Sequence, residues 1–314
     1  MWQEPVFPWV LAGQEPLAAI ALVCRAALDV RRQAWEGASG VWSACPPAGR
    51  HHVTMAGDPL LEHARRLWVT LARAPIAFTE SAFGVAVAPR SLLCPPGWVG
   101  IVVLGSTVMA TAPDGRTAEI VQRALNGLPA AAMTDLAMVR GRLTVDEVRG
   151  PASLACCDRA DFRPAGSDAA VETVPADDRH VTNLLARAPS EDVDESGLAE
   201  ITSPAFVVRT GSETMAAAGY RTWPESTAHI SVLTAAAGRG RGLARVVAAA
   251  AVAHALDTGL VSQWRARPET SRRVALALGF HELGSQLSIR LPPAGEPSSG
   301  PRPGPRRDGS GRRR

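Results

Sequence analysis

The run Ala228-His229-Ile230-Ser231-Val232-Leu233-Thr234, followed by the small-residue turn Ala235-Ala236-Ala237-Gly238-Arg239-Gly240-Arg241-Gly242, constrains this chain more than any other segment. A β-branched, alternating stretch predicts a strand. The alanine-rich stretch that starts at Leu243-Ala244 predicts a helix fed directly by that turn. The first-turn amides of such a helix lack intrahelical partners and lie at the positive end of its dipole. An anion, most naturally a phosphate, fits there. The glycines let the backbone approach it closely, and the arginines add charge without occupying the amide positions.

The turn is not a Walker A loop, because no Lys-Ser/Thr follows the glycines and the chain contains no lysine. Nor is it a dinucleotide fingerprint, since the third glycine falls one residue early, at Gly242, and Leu243 takes its expected place. Arg239-x-x-Gly242-x-Ala244 does resemble the acetyl-CoA signature R-x-x-G-x-G/A of the GNAT N-acetyltransferase superfamily. For the bare motif, an arginine-glycine turn capping a core helix is the ordinary alternative.

The flanking sequence supports the resemblance. After a helix from Gly242 to Thr258, Gly259 is a stop, and Leu260 to Arg267 is a short strand. Pro268 opens a helix from Glu269 to Leu278, and His281 to Leu291 is a last extended run. Ser271-x-x-Val274-x-x-x-Leu278-Gly279-Phe280 resembles the second CoA-side segment of the superfamily. Upstream, Ala205 to Arg209 and Glu213 to Trp223 form a strand pair around the turn Thr210-Gly211-Ser212. The resemblance covers Val171 to Leu291.

The expected fold class is therefore α/β with a mixed sheet. A GNAT-like domain at 166–291 follows an α+β companion domain at 1–165, and residues 292–314 form a disordered tail. The linker candidate is Asp161 to Ala170. In the first half, helices are expected from Pro16 to Trp35 and from Pro59 to Ala72, the second capped by Asp58. Gly97 to Leu104 and Thr107 to Ala112 read as paired strands, Thr117 to Leu128 as a helix, and Val145 to Cys157 as another. Two readings of this half stay open: a worn GNAT-like copy, or a companion that supplies the acceptor-side wall.

At 314 residues with 46% hydrophobic content, the chain is long enough for two cores. Its net charge is +3, but Pro292 to Arg314 holds six arginines against Glu296 and Asp308, a net of +4, so the body is close to neutral. No basic face argues for nucleic acid, except through the tail as a weak electrostatic anchor. That Pro/Gly/Ser/Arg tail cannot bury enough surface to fold, and disorder without catalytic consequence is its plainer reading. The five cysteines (Cys24, Cys45, Cys94, Cys156, Cys157) show no C-x-x-C spacing. With no secretory pattern and no bilayer-spanning run, the expectation is a cytoplasmic protein with reduced thiols and no membrane partner. His51-His52, Asp58 and His63 have metal-capable side chains, but adjacent histidines in a loop rarely converge on one ion, so no metal is expected. Trp9, Trp35, Trp42, Trp68 and Trp98 read as packing residues rather than a pocket.

The resemblance implies direct acyl transfer from acetyl-CoA to an unidentified amine acceptor, without metal or covalent enzyme intermediate. A homodimer is left open. Val232, Leu233 and Thr234 would pair with the pantetheine arm, the amides of Arg239, Gly240, Arg241, Gly242, Leu243 and Ala244 would hold the pyrophosphate, and Ser271 lies on the same side. The family often places a carboxylate base at the start of the CoA strand; here the candidates are His229 and then Glu225. A histidine titrates near working pH, though simple packing at a strand end is the alternative for His229. Two departures stand out. Pro268 replaces the Asn common near the start of the second segment, and Ala275 replaces a tyrosine that protonates the leaving thiolate. The one tyrosine, Tyr220, reads as core. A non-catalytic acyl-CoA-binding sensor or interaction module is the alternative function.

Overall fold

Asp58 and Pro59 set the first helix in the computed structural model, which describes residues 57–80, 83–166 and 169–293. The Asp58 carboxylate accepts from the amides of Leu60 (2.9 Å) and Leu61 (3.4 Å), and α1 runs Pro59–Ala72. Its apolar face (Leu60, Leu61, Ala64, Leu67, Trp68, Leu71) is buried. The expected strand pair follows as β2 (Val99–Leu104) and β3 (Thr107–Ala112), with the short β1 (Val85–Val87) alongside β3. Every residue of β2 and β3 is buried, because α1 covers one face of the pair and α2 (Gly115–Leu125) the other. A short α3 (Leu136–Arg140) leads to β4 (Glu147–Cys157).

The helix expected over Val145 to Cys157 is thus a strand. Pro151 offers no amide to a helix, and Gly150-Pro151 falls where the pairing of β4 with the last strand shifts register. From Leu154 to Cys157 both faces of β4 are buried, which erases the alternation a strand usually shows.

The second half builds β5 (Glu172–Val174), α4 (Arg179–Arg187), α5 (Ser190–Ser196), β6 (Ala205–Thr210), β7 (Glu213–Trp223) and β8 (Thr227–Thr234). Then come α6 (Leu243–Asp257), β9 (Val261–Ala266), α7 (Glu269–Ala277) and β10 (His281–Arg290). These elements match the order expected from sequence over 205–291. The ten described strands form one mixed sheet, β1-β3-β2-β10-β4-β9-β8-β7-β6-β5. Only β1/β3 and β8/β9 are parallel. The sheet runs unbroken past position 165, since β4 lies between β9 and β10.

Both faces of the second half are covered. Leu243, Val247 and Ala251 of α6 pack on Phe206, Val208 and Ala216, while Ala248, Val252 and Ala255 pack on Ala228, Ile230 and Trp264. On the opposite face, Val181 and Leu184 of α4 pack on Val207, Ala217 and Leu233. Residues of β8 therefore alternate, with 228, 230 and 232 toward α6 and 227, 229, 231 and 233 away from it. The expected helix at Pro16 to Trp35, His51-His52, Cys24, Cys45, Trp9, Trp35, Trp42 and the chain beyond 293 lie outside the described residues.

Candidate functional site: a cleft between diverging parallel strands

β8 is paired with β7 along its whole length, yet it pairs with β9 only from Thr227↔Val261 to His229↔Gln263. Beyond that point the two parallel strands part. The opening widens into a cleft of about 560 Å³, within the size range of small-molecule and cofactor sites. Its lining includes Val232, Leu233, Thr234, Arg239, Gly240, Gly242, Leu243, Ala244 and Ser271 of the sequence-derived set. Arg241 is exposed in the same turn and is not part of the lining.

The turn is anchored to β7 at its start and closed by a bond of its own. The Ala235 amide donates to Met215 O (2.8 Å), and the Gly238 amide donates to Ala235 O (2.8 Å). Gly238 lies so close to β7 that a Cβ there would sit 2.7 Å from Met215 O. Gly240 (φ +74°) and Gly242 (φ +75°) take left-handed conformations that other residues adopt only with strain. Gly242 is the N-cap of α6, and no side chain caps that helix. The Arg245 amide donates to Gly242 O (3.1 Å), and Gly242, Leu243, Ala244 and Arg245 of the first turn of this 15-residue helix line the cleft.

Sequence reasoning missed the other wall. Asp192, Glu195 and Ser196 of α5 line the cleft, as do Trp264, Arg265, Pro268, Thr270 and Val274. Asp192 accepts from Arg239 at 2.6 Å, and Glu195 forms an ion pair with Arg267. The available signals were the acidic run in Ser190–Ser196 and the placement of Arg265 and Arg267 alternating with buried Trp264 and Ala266. Neither signal specifies a partner. Ser271 is held by the Trp264 indole, whose Nε1 donates to Ser271 Oγ (3.0 Å).

His229 sits where the strands part, on the face away from α6, and does not line the cleft. Its ring stacks on Trp223 (centroids 4.0 Å apart, 10° between planes), and its Nδ1 lies 2.5 Å from Gln263 Oε1. Gln263 Nε2 donates to the Trp264 carbonyl (3.2 Å), which fixes the amide with its oxygen toward His229. A carbonyl oxygen only accepts, so Nδ1 carries the proton and Nε2 carries the lone pair. Burial, and secondarily the positive charge of Arg265, depress the imidazole pKa to about 3. His229 is thus neutral and a weak base.

Glu225 lies in the β7–β8 turn, outside the cleft lining, where it accepts from Thr70 Oγ1 (3.0 Å) and approaches Arg66 (3.8 Å). It ties α1 to that turn. Tyr220 is buried on the α6 face, its hydroxyl 2.9 Å from His254 Nδ1, and Ala275 is buried in the same cluster. His63 is buried against Thr227 Oγ1 (2.8 Å). Cys94, Cys156 and Cys157 are free and buried, and burial pushes each thiol up to about 12. Among the described residues, no group of three or more His, Cys, Asp and Glu could hold a metal ion, and no helix is long and apolar enough to cross a membrane.

Residues 203–285 match the family model described as GNAT acetyltransferase. The matched residues contain the diverging strands, the glycine turn and α6. Among curated proteins no match is found. Similar solved structures include a putative GNAT-family acetyltransferase from Novosphingobium aromaticivorans, at 21% identity and a TM-score of 0.38, covering 46% of this chain and 65% of that one. A GCN5-related N-acetyltransferase from Kribbella flavida is 16% identical with a TM-score of 0.39, covering 50% and 64%. A GCN5-related N-acetyltransferase-like protein from Streptococcus suis is 19% identical with a TM-score of 0.40, covering 62% and 84%. The chain thus spans just under two thirds of the first two of these proteins.

Proposed function

We propose that this protein is an N-acetyltransferase that moves an acetyl group from acetyl-CoA directly to a primary amine of a small molecule or protein. The observation that carries the reading is the parting of β8 and β9 beyond His229↔Gln263, next to a glycine turn whose helix has no side-chain cap. In this reading, the open edge of β8 at Val232–Thr234 takes the pantetheine arm as an added strand would. The amides from Arg239 to Ala244 take the pyrophosphate, with Arg239 turning from Asp192 to phosphate. Ser271 and Val274 wall the other side.

The chemistry is then positioning and polarisation of the thioester carbonyl. An ammonium acceptor first loses a proton, and the free amine forms the new C–N bond as the C–S bond breaks. CoA leaves as a thiolate that takes up a proton. His229 is the proposed acceptor of the ammonium proton through its Nε2 lone pair, by way of water because its ring does not line the cleft. Glu225 is the second candidate. The cytoplasm is the proposed compartment and a homodimer the proposed assembly if one forms; residues 1–165 are proposed as the companion to an acyltransferase unit at 166–291.

The second reading, a non-catalytic acyl-CoA-binding module, is favoured by one observation: Ala275 offers no proton donor, and Tyr220 is engaged with His254. CoA release from acetyl-CoA across a panel of amines separates the two readings. Turnover with any amine supports the enzyme, whereas a thermal shift with acetyl-CoA and no turnover supports the binding module.

A further inference from the structure

One end of the cleft carries more positive charge than its surroundings neutralise. Arg265 lines the cleft from β9 and shares the α1 face of the sheet with its cross-strand partner Leu154. Four guanidinium groups act on this region: Arg149 from β4, Arg221 from β7, and Arg265 and Arg267. Two carboxylates answer them. Glu195 pairs with Arg267, and Glu200 pairs with Arg221 at 2.6 Å. Among the described residues, Arg265 and Arg149 have no carboxylate partner.

Both are nevertheless held in place. Gln286 Nε2 donates to the Leu93 carbonyl, so its Oε1 faces outward and accepts from Arg265 Nη1 at 3.5 Å. Arg149 lies over the Trp98 ring, 5.5 Å from its centroid. A guanidinium stacked on an indole keeps its N–H edge free for a planar oxyanion. The like charge of neighbouring Arg267 and of Arg149 makes the Arg265 cation less favourable, which an anion would relieve. The pyrophosphate turn lies at the other end of the cleft, after Thr234, whereas Arg265 lies two residues past Gln263, the partner of His229.

We infer that Arg265 and Arg149 form a carboxylate-binding subsite, so that the acceptor is an amine that also bears a carboxylate, as an amino acid does. The inference rests on the acetyltransferase reading and names its substrate class. A carboxylate on the acyl group of the donor would have the same chemistry, so the test includes that source.

The probes are N-acetylated common amino acids, each paired with its carboxamide, titrated calorimetrically into the CoA-saturated protein. For at least one pair, the acid binds about ten- to hundredfold more tightly than the amide. Arg265→Gln brings the two affinities together, Arg265→Lys restores part of the difference, and Arg149→Gln reduces it. The acetyl-CoA thermal shift of Arg265→Gln matches wild type, which also checks its folding. The inference is overturned if no acid binds better than its amide, if the preference survives Arg265→Gln, or if succinyl-CoA outbinds acetyl-CoA in an Arg265-dependent way. Absence of any acetyl-CoA shift in the wild type strikes the acetyltransferase reading itself.

Discussion

The two ends of the cleft are built from different materials. The glycine-turn end is made of backbone: amides of the α6 N-terminus, an open strand edge, and glycines that bring the chain close to β7. The arginine end is made of side chains: Arg265 of β9 lines the cleft, with Arg149 of β4 and Arg221 of β7 nearby, each steadied by a neighbour such as Trp98, Gln286 or Glu200. Backbone amides suit a phosphate of fixed geometry. Side chains change with single substitutions, so they suit the partner that varies. The difference teaches that donor and acceptor should respond separately to mutation.

The largest expected effect tests whether chemistry belongs to the arginine end. His229→Gln should lower kcat about a hundredfold, with the KM for acetyl-CoA within about twofold of wild type. Equal loss in both parameters would mean that His229 merely supports the cleft. Next in size, Gly238→Val should weaken acetyl-CoA binding by roughly thirtyfold, because its Cβ must push against Met215 O at 2.7 Å. Calorimetry with acetyl-CoA would read this, and unchanged affinity would detach the turn from donor binding.

Stability against pH gives a third contrast. His229 titrates near 6.5 in the unfolded chain and near 3 in the fold. Its contribution is therefore complete above pH 6.5 and is lost progressively as pH falls toward 3, where only the unfolded chain takes the proton. His63, also depressed by burial, acts in the same direction. Urea midpoints between pH 7 and 4 should fall less steeply in His229→Gln than in wild type. The smallest effect is expected for Asp192→Asn. Removing the exposed partner of Arg239 should tighten acetyl-CoA binding only a few-fold, because such a pair contributes about 0–1 kcal/mol. Weaker binding would show instead that Asp192 orients Arg239 toward the phosphate.

The same contrast explains what could be read from sequence. The strand, turn and helix from Thr227 to Asp257 are contiguous, so local pattern and glycine placement were enough to locate these three elements of the cleft. The Asp58 cap and the Gly105-Ser106 and Gly211-Ser212 turns were legible for the same reason. The arginine end joins residues more than a hundred positions apart, Arg149 to Arg265, through a sheet order that no local pattern encodes. β4 was misread because burial on both faces removes its alternation, and its partners β9 and β10 come from the far end of the chain. The low basicity of His229 was equally hidden, since it depends on burial and on the charges of Arg265 and Arg221, which outweigh the opposing hydrogen bond to Gln263.

The most direct test of the account is the thermal shift produced by acetyl-CoA on wild type and on Gly242→Asp. Asp at a position with φ +75° strains the turn and sets a negative charge beside the amides proposed to hold the phosphate. The account predicts a clear upward shift for the wild type and none for Gly242→Asp. No shift in the wild type, or equal shifts in both proteins, would contradict it.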